Sequence, residues 1–345
     1  MTDLEKLCSR VTEAADCAVI TDDVNRRYFT AMKSSAGTLV VFPEKAYFII
    51  DFRYIEKAKK TVTACEVILQ DKLYEQINSL IEKHGAKTVS VNADTCTLSE
   101  LIAYQQKLNA EVIADTKLAE IIREIRTIKS QEQIDKIIKA QRIAEKGFAH
   151  MLDFIKVGRT EKEIQLELDY YMLKNGAEAL SFDTIALSGS NTSLPHGVPS
   201  NKKVESGEFV LMDFGATYDG WHSDMTRTVC VGKPSDKMKS VYETVLTAQL
   251  TALDAVKAGM SGKALDKIAR DIITEAGYGD NFGHSLGHGV GVEIHESPYA
   301  SPSREDILPE NSIVTVEPGI YLEGKFGVRI EDFVVVTENG CINMT

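Results

Sequence analysis

The chain has 345 residues, more than the roughly 250–300 residues at which a single hydrophobic core stops growing, so we expect two domains. Apolar residues make up 43% of the chain and charged residues 26%, which is typical of folded globular proteins and excludes a largely disordered chain. The net charge of −12 argues against nonspecific nucleic-acid binding. The longest apolar runs are only as long as strands, and the first residues lack an apolar leader. We therefore expect a cytoplasmic protein without a membrane partner.

The first third of the sequence alternates strand and helix patterns, which predicts an α/β domain over residues 1–124. It contains one histidine, His84, and no dense cluster of metal-ligand residue types, so we assign it a structural or oligomerisation role. Strands are predicted at 17–21, 38–42, 47–51, 66–69 and 88–92, and helices at 53–60, 73–84, 98–108 and 117–123.

A second domain is predicted over residues 125–345. Ser130 has the position of a helix N-cap, and Gln133 lies where it would complete a capping box before a long amphipathic helix. Further helices are predicted at about 160–174 and 262–276, with strands and glycine-rich turns between them. The mixture of helices and strands predicts an α+β fold.

A predicted β-hairpin carries two aspartates. Asp219 and Gly220 form a strong two-residue turn signal between two strand-like runs. With that turn, Asp213 lies opposite Thr226, and Asp224 is its diagonal neighbour on the same face. Two carboxylates buried together are costly unless a cation neutralises them.

Further metal-ligand residues follow in the second half of the domain. Three of the seven histidines, including His284 and His288, fall within the twelve residues 284–295, and the surrounding glycines argue against a helix there. Glu317 and Glu331 each interrupt an apolar, strand-like segment. Four carboxylates and one imidazole form an oxygen-rich site that suits Mn²⁺, and two divalent ions roughly 3.5–4 Å apart would balance their charge.

These residues, in this order, resemble the metal-ligand set of the methionine aminopeptidase/prolidase/creatinase superfamily, whose catalytic domain has the pita-bread fold. The matching positions are Asp213, Asp224, His288, Glu317 and Glu331. The amino-terminal segment more loosely resembles the amino-terminal domain of creatinase and the Xaa-Pro peptidases, through Asn25-Arg-Arg-Tyr-Phe-Thr and Asp51-Phe-Arg-Tyr. The resemblance therefore implies a pita-bread catalytic domain preceded by a smaller creatinase-like α/β domain.

The resemblance also implies roles for individual residues. It makes Asp213 and Glu331 the shared ligands of two divalent ions, most simply Mn²⁺, with Co²⁺ or Zn²⁺ as alternatives. Asp224 would bind one ion and His288 the other, while Glu317 would bind metal and relay a proton. Of the remaining matched residues, His295 and His196 are catalytic and His284 and Arg329 line the proline side of the substrate pocket. Tyr321 supports this substrate-binding side from behind the lining residues.

The function implied by this resemblance is hydrolysis of the bond between a residue and a following proline. We expect an Xaa-Pro aminopeptidase that releases the first residue of a proline-containing peptide, with a prolidase acting on Xaa-Pro dipeptides as the alternative. A homodimer is implied by the resemblance alone.

Other classes of protein fit the sequence less well. A non-catalytic, peptide- or protein-binding relative would lack several of the five ligands, and the intact set also argues against creatinase-type chemistry. His295-Glu296 has no second histidine at the spacing of H-E-x-x-H, and Ser188-Gly-Ser-Asn is not a G-x-S-x-G nucleophile elbow. The sequence contains no C-x-x-C pair, so it gives no indication of a thiolate zinc site.

Overall fold

The computed structural model describes all residues 1–345. The chain divides into two compact units, Met1–Arg126 and Thr127–Thr345, two residues beyond the boundary expected at 124/125. No helix in either unit combines the length and the apolar composition that crossing a bilayer requires.

The first unit is a six-stranded mixed sheet with the strand order β4-β3-β2-β1-β5-β6. Successive residues of its central strands pack into two different hydrophobic clusters, for example Ala18 and Ile20 in one and Cys17 and Val19 in the other. Both faces of the sheet are therefore buried, which explains the nearly continuous apolar runs in the sequence. The strands are β1 Cys17–Ile20, β2 Thr38–Val41, β3 Ala46–Ile50, β4 Glu66–Leu69, β5 Thr88–Val91 and β6 Glu111–Ile113, and the helices are α1 Asp3–Arg10, α2 Asp23–Thr30, α3 Ile55–Thr61, α4 Leu73–His84, α5 Leu98–Lys107 and α6 Lys117–Thr127.

The five strands and four helices predicted for this unit are all present, with α3 beginning two residues later than expected. Helices α1 and α2 and the edge strand β6 were not predicted. Both missed helices carry N-terminal signals: Thr2 forms a capping box with Glu5, and the Asp22 side chain accepts a hydrogen bond from the backbone N–H of Asn25. Their short length hid the apolar periodicity on which the predictions relied.

The second unit begins with α7, Gln131–Phe154, whose predicted capping box between Ser130 and Gln133 is present. It also contains α8 Glu161–Lys174, α9 Asp236–Ala255 and α10 Gly262–Glu275. Helix α9 was not predicted, although Ser235 caps it by accepting a hydrogen bond from the Met238 backbone N–H.

The strands of the second unit are antiparallel and form two similar halves. Each half opens with two helices and continues into β-hairpins. The first half packs one hydrophobic core from α7, α8 and the sheet β12-β9-β8, and the second packs another from α9, α10 and the later strands. The strands are β7 Ala179–Leu180, β8 Ile185–Ser188, β9 Glu208–Phe214, β10 Ala216–Tyr218, β11 Trp221–His222, β12 Met225–Val231, β13 Gly287–Gly289, β14 Glu296–Ala300, β15 Ile313–Val316, β16 Gly319–Leu322, β17 Phe326–Arg329, β18 Asp332–Thr337 and β19 Gly340–Asn343.

Candidate metal centre

The hairpin that carries the two aspartates has the predicted register. Asp219 and Gly220 both have positive φ angles, 49° and 81°, as a type I′ turn requires. Asp213 on β9 pairs with Thr226 on β12, and Asp224, which is 4% exposed, immediately precedes β12. Asp213 and Asp224 line the same cavity.

A second hairpin positions the two glutamates opposite each other. The pairs Val316–Asp332 in β15–β18 and Gly319–Arg329 in β16–β17 share one register, so Glu317 and Glu331 face each other in the gap between the two ladders. Both glutamates therefore lie at strand ends rather than inside strands, and their backbone N–H groups bond to neighbouring segments instead. Glu331 donates to the Thr226 carbonyl at 3.2 Å, which joins the two hairpins.

The histidine segment is not helical, as its glycines predicted, and Gly287–Gly289 forms β13. A Cβ atom on Gly287 would lie 2.0 Å from the Thr315 carbonyl oxygen, so only glycine permits this close approach. The imidazole Nδ1 of His288 donates to the Gly289 carbonyl at 3.0 Å. The unprotonated Nε2 is therefore directed to the carboxylates, 3.6 Å from Asp224 Oδ2 and 3.4 Å from Glu317 Oε1.

The structure brings together most of the predicted ligand set. Asp224, His288 and Glu331 each offer a ligand atom within 4.8 Å of the others, and Glu317 contacts His288. Asp213 is turned partly away from this group, because its Oδ2 accepts a 2.6 Å hydrogen bond from Arg329.

The electrostatics of this cluster are unfavourable without a cation. Burial, and then the charges of neighbouring carboxylates, raise the pKa values of Asp224 and Glu331 well above normal. Burial raises the pKa of Glu317 to about 8. Burial, together with the nearby His295, lowers the pKa of His288 to about 4. These three acidic groups thus resist ionisation together, while the imidazole stays neutral, the form in which it binds metal.

These residues fit divalent cations. Asp213 Oδ1 and Glu331 Oε1 are buried and have no hydrogen-bond partner, although buried polar atoms are normally paired. A bound cation would satisfy both oxygens and favour the ionised carboxylates. The donor set of carboxylate oxygens and one imidazole nitrogen suits hard or borderline divalent ions.

Two threonines orient the candidate ligands, and neither was predicted from the sequence. Thr226 donates to Glu331 Oε2 at 2.7 Å and accepts from the Arg329 Nε at 3.0 Å. Thr315 lies 3.3 Å from Glu317 Oε1 and accepts from the His288 backbone N–H. Hydroxyls that orient metal ligands in this way are common in metal sites, but nothing in their local sequence distinguishes them from other strand threonines.

His284 and Arg329, predicted to line the proline side, form a hydrogen-bond chain with Tyr321, predicted to lie behind them. Arg329 donates to the Tyr321 hydroxyl at 2.8 Å, and that hydroxyl donates to His284 Nε2 at 2.9 Å. His284 Nδ1 in turn donates to the Ser285 carbonyl, so both ring nitrogens are engaged. Burial lowers the pKa of His284 to about 4 and raises that of Tyr321 to about 12, which keeps both side chains neutral.

A cavity of about 480 Å³ opens onto the cluster, and nine of the ten predicted site residues, all except Tyr321, line it. The rings of His295 and His288 meet edge to face at 4.3 Å. Partial burial lowers the pKa of His295, although the charge of Asp213 acts in the opposite direction. His196 lies at an exposed part of the wall, and the lining residues that the sequence analysis missed are mainly apolar, Phe182, Ile185, Ile294 and Tyr299.

Comparison with known proteins identifies two domains. Residues 135–338 match metallopeptidase family M24, and residues 4–128 match the creatinase/prolidase N-terminal domain. A protein named Xaa-Pro dipeptidase from Pyrococcus furiosus is 39% identical over 345 residues, covering 99% of this chain and 97% of that protein.

Solved structures show the same similarity. An Xaa-Pro dipeptidase from Bacillus anthracis superposes with a TM-score of 0.95 at 41% identity, covering 99% of this chain and 96% of that one. An X-Pro aminopeptidase from Thermotoga maritima gives a TM-score of 0.89 at 39% identity, with coverage of 96% and 95%. The predicted fold, a pita-bread domain after a creatinase-like domain, is thereby confirmed. The chain belongs to metallopeptidase family M24, in the group that carries a creatinase/prolidase N-terminal domain.

Proposed function

We propose that this protein is a two-metal peptidase that cleaves the bond between a residue and a following proline. The observation that carries the proposal is the buried cluster of four carboxylates and one neutral histidine at one cavity. Relatives and solved structures of nearly full coverage, named as Xaa-Pro dipeptidases or an X-Pro aminopeptidase, support the same substrate class.

The proposed metal ligands are Asp213, Asp224, His288, Glu317 and Glu331. Four carboxylates balance two divalent ions, and the hard oxygen donors favour Mn²⁺, with Co²⁺ or Zn²⁺ as alternatives. When bound, such ions polarise a carbonyl group and lower the pKa of water towards neutrality.

The other side chains supply the remaining chemistry. His295 and His196, on the cavity wall, donate hydrogen bonds to the scissile carbonyl oxygen as its negative charge develops. Glu317 accepts a proton at its carboxylate and passes it to the leaving proline nitrogen. That nitrogen has no N–H in the substrate, so it must be recognised by shape. We assign this to the wall formed by His284 and Arg329, which Tyr321 holds together through hydrogen bonds to both.

The length of the substrate is the open choice between two closely related activities. The similarity to proteins named Xaa-Pro dipeptidase favours a dipeptide substrate. One feature of the site favours longer peptides: the Arg329 guanidinium already donates to Asp213, Tyr321 and Thr226, which leaves it poorly placed to capture a free carboxylate. Because the relatives named Xaa-Pro dipeptidase match nearly the whole chain, we propose the dipeptidase first, which reverses the order expected from the sequence, and retain the Xaa-Pro aminopeptidase as the second candidate.

The test compares four peptides, Ala-Pro, Ala-Pro-Ala, Ala-Ala and Ala-Ala-Ala, after metal removal and Mn²⁺ addition, with products identified by mass spectrometry. We expect cleavage of the proline peptides only. Preference for Ala-Pro identifies a dipeptidase, and preference for Ala-Pro-Ala identifies an aminopeptidase. Metal binding without cleavage of either proline peptide would contradict the proposal and favour a non-catalytic binding protein.

A further inference from the structure

Glu161 is a buried carboxylate outside the metal centre. It is the first residue of α8, and its side chain is 0% exposed. It forms no ion pair, and hydrogen bonds hold both of its carboxyl oxygens. Removing a carboxylate from water costs free energy, which well-aligned hydrogen-bond donors must offset.

The donors to Glu161 come from two separated points of the chain. Oε1 accepts from the backbone N–H and the hydroxyl of Ser188, at 2.7 and 3.1 Å, and from the Asn191 amide at 3.0 Å. Oε2 accepts from the backbone N–H and the hydroxyl of Ser200, at 3.0 and 2.7 Å, and from the Asn191 amide at 3.2 Å. One side chain thus ties together both ends of the segment 189–199.

This segment forms part of the cavity wall. Pro195 and His196 line the cavity, and the Pro195 carbonyl accepts a 3.3 Å hydrogen bond from Arg329. Apart from a short 3₁₀ turn at Gly189–Ser193, the segment has no regular structure. Its path therefore depends on the hydrogen bonds at its two ends and on contacts with β17 between them, such as the 2.8 Å hydrogen bond that the Thr192 hydroxyl accepts from the Gly327 backbone N–H.

We propose that Glu161 is a positioning residue, whose carboxylate closes the base of segment 189–199 and thereby holds His196 against the substrate cavity. The inference rests on the proposed function for the role of His196, but the structural part can be measured without substrate. Glu161 acts through His196 and contacts no reacting atom.

Glu161→Gln is the most informative substitution. The amide keeps the size of the side chain but has one acceptor oxygen instead of two, and its NH₂ group would face the donors of one end of the segment. At least one buried N–H would lose its partner. Glu167→Gln, on the same helix and bonded to His150, is the matched control because it lies outside this network.

The first measurement is amide hydrogen exchange with mass spectrometry. In Glu161→Gln we expect faster exchange within residues 189–199, with bound metal and the exchange of α9 and α10 unchanged. Glu167→Gln should behave like the unmodified protein. Unchanged exchange in 189–199 of Glu161→Gln would overturn the proposal, whether or not the protein cleaves proline peptides.

The second measurement is a double-mutant cycle on Xaa-Pro cleavage with Glu161→Gln and His196→Ala. Glu161→Gln should lower kcat/KM by roughly 10- to 100-fold, the cost of misplacing a group near the reaction by about 1 Å. In the His196→Ala background it should cause little further loss, because its effect passes through His196. Fully additive losses would contradict the positioning role and indicate general destabilisation.

A milder variant covers the case in which Glu161→Gln does not fold. Ser200→Ala removes one hydroxyl donor and leaves the carboxylate, so we expect the same two effects at smaller size. An unmodified protein that cleaves no proline peptide would refute the proposed function alone, and the exchange result would still decide whether Glu161 holds the segment. Normal exchange and normal kcat/KM in Ser200→Ala, with Glu161→Gln unfolded, would assign Glu161 to folding and overturn the proposal.

Discussion

Thr226 illustrates how single hydroxyls connect the parts of the centre. It donates to Glu331 and accepts from Arg329, which itself donates to Asp213. The Arg329 side chain and the Thr226 hydroxyl therefore fix the orientation of two proposed ligands that come from different hairpins. This arrangement depends on tertiary packing between β12 and β17.

Replacing Thr226 with valine tests this connection, because valine keeps the shape and removes the hydroxyl. We expect metal affinity to fall by about 10- to 100-fold, the usual cost of losing a group that orients a ligand. Metal titration followed by calorimetry measures the change. Thr247→Val, which alters a threonine on the exposed side of α9, is the control, and equal affinity in the two variants would contradict the assigned role.

At this scale the sequence predicts the candidate ligands better than their surroundings. The order and spacing of Asp213, Asp224, His288, Glu317 and Glu331 follow the pattern of the family, so a resemblance can identify them. The contact between Asp213 and Arg329 spans 116 positions, and the Glu161 network spans up to 39. Neither leaves a periodic signal in the chain, which is why the sequence analysis placed Arg329 only at the proline side and overlooked Glu161.

At the scale of elements, two hairpins and a glycine-rich strand bring the proposed ligands together. The Asp219-Gly220 turn fixes the register of the first hairpin, and this register was predictable because a two-residue turn leaves no freedom in the pairing. The second hairpin was harder to predict, because the interruption at Glu317 and Glu331 separates two short ladders. Their common register became visible only in the structure.

The close approach of β13 to β15 gives a test at the element scale. Gly287→Ala would force a Cβ against the Thr315 carbonyl, so we expect β13 to shift and His288 to move away from Asp224. Metal affinity should fall by at least about tenfold, since a ligand must be held within roughly 0.5 Å of its productive position. Gly283→Ala is the matched control, because a Cβ there meets nothing within 4 Å. Equal metal affinity of the two variants would show that the close approach does not position His288.

At the scale of the whole molecule, each unit has hydrophobic cores of its own. The proposed chemistry belongs to the unit Thr127–Thr345, which contains all the proposed site residues. The cluster of acidic groups with raised pKa values makes that unit electrostatically costly without a cation. Metal binding should therefore stabilise the native protein, and mass action gives about 2.7 kcal/mol when free metal is at 100 times its dissociation constant.

The central claim is that this carboxylate cluster binds the metal needed for cleavage before proline. The most direct test is to strip the protein with a chelator, titrate it with Mn²⁺, and measure bound metal and Ala-Pro and Ala-Pro-Ala cleavage in the same samples. We predict no turnover without metal and activity that rises with bound metal up to two ions per chain, with both lost in Asp224→Ala and Glu331→Ala. Full turnover by metal-free protein, or retained activity in either variant, would contradict the account.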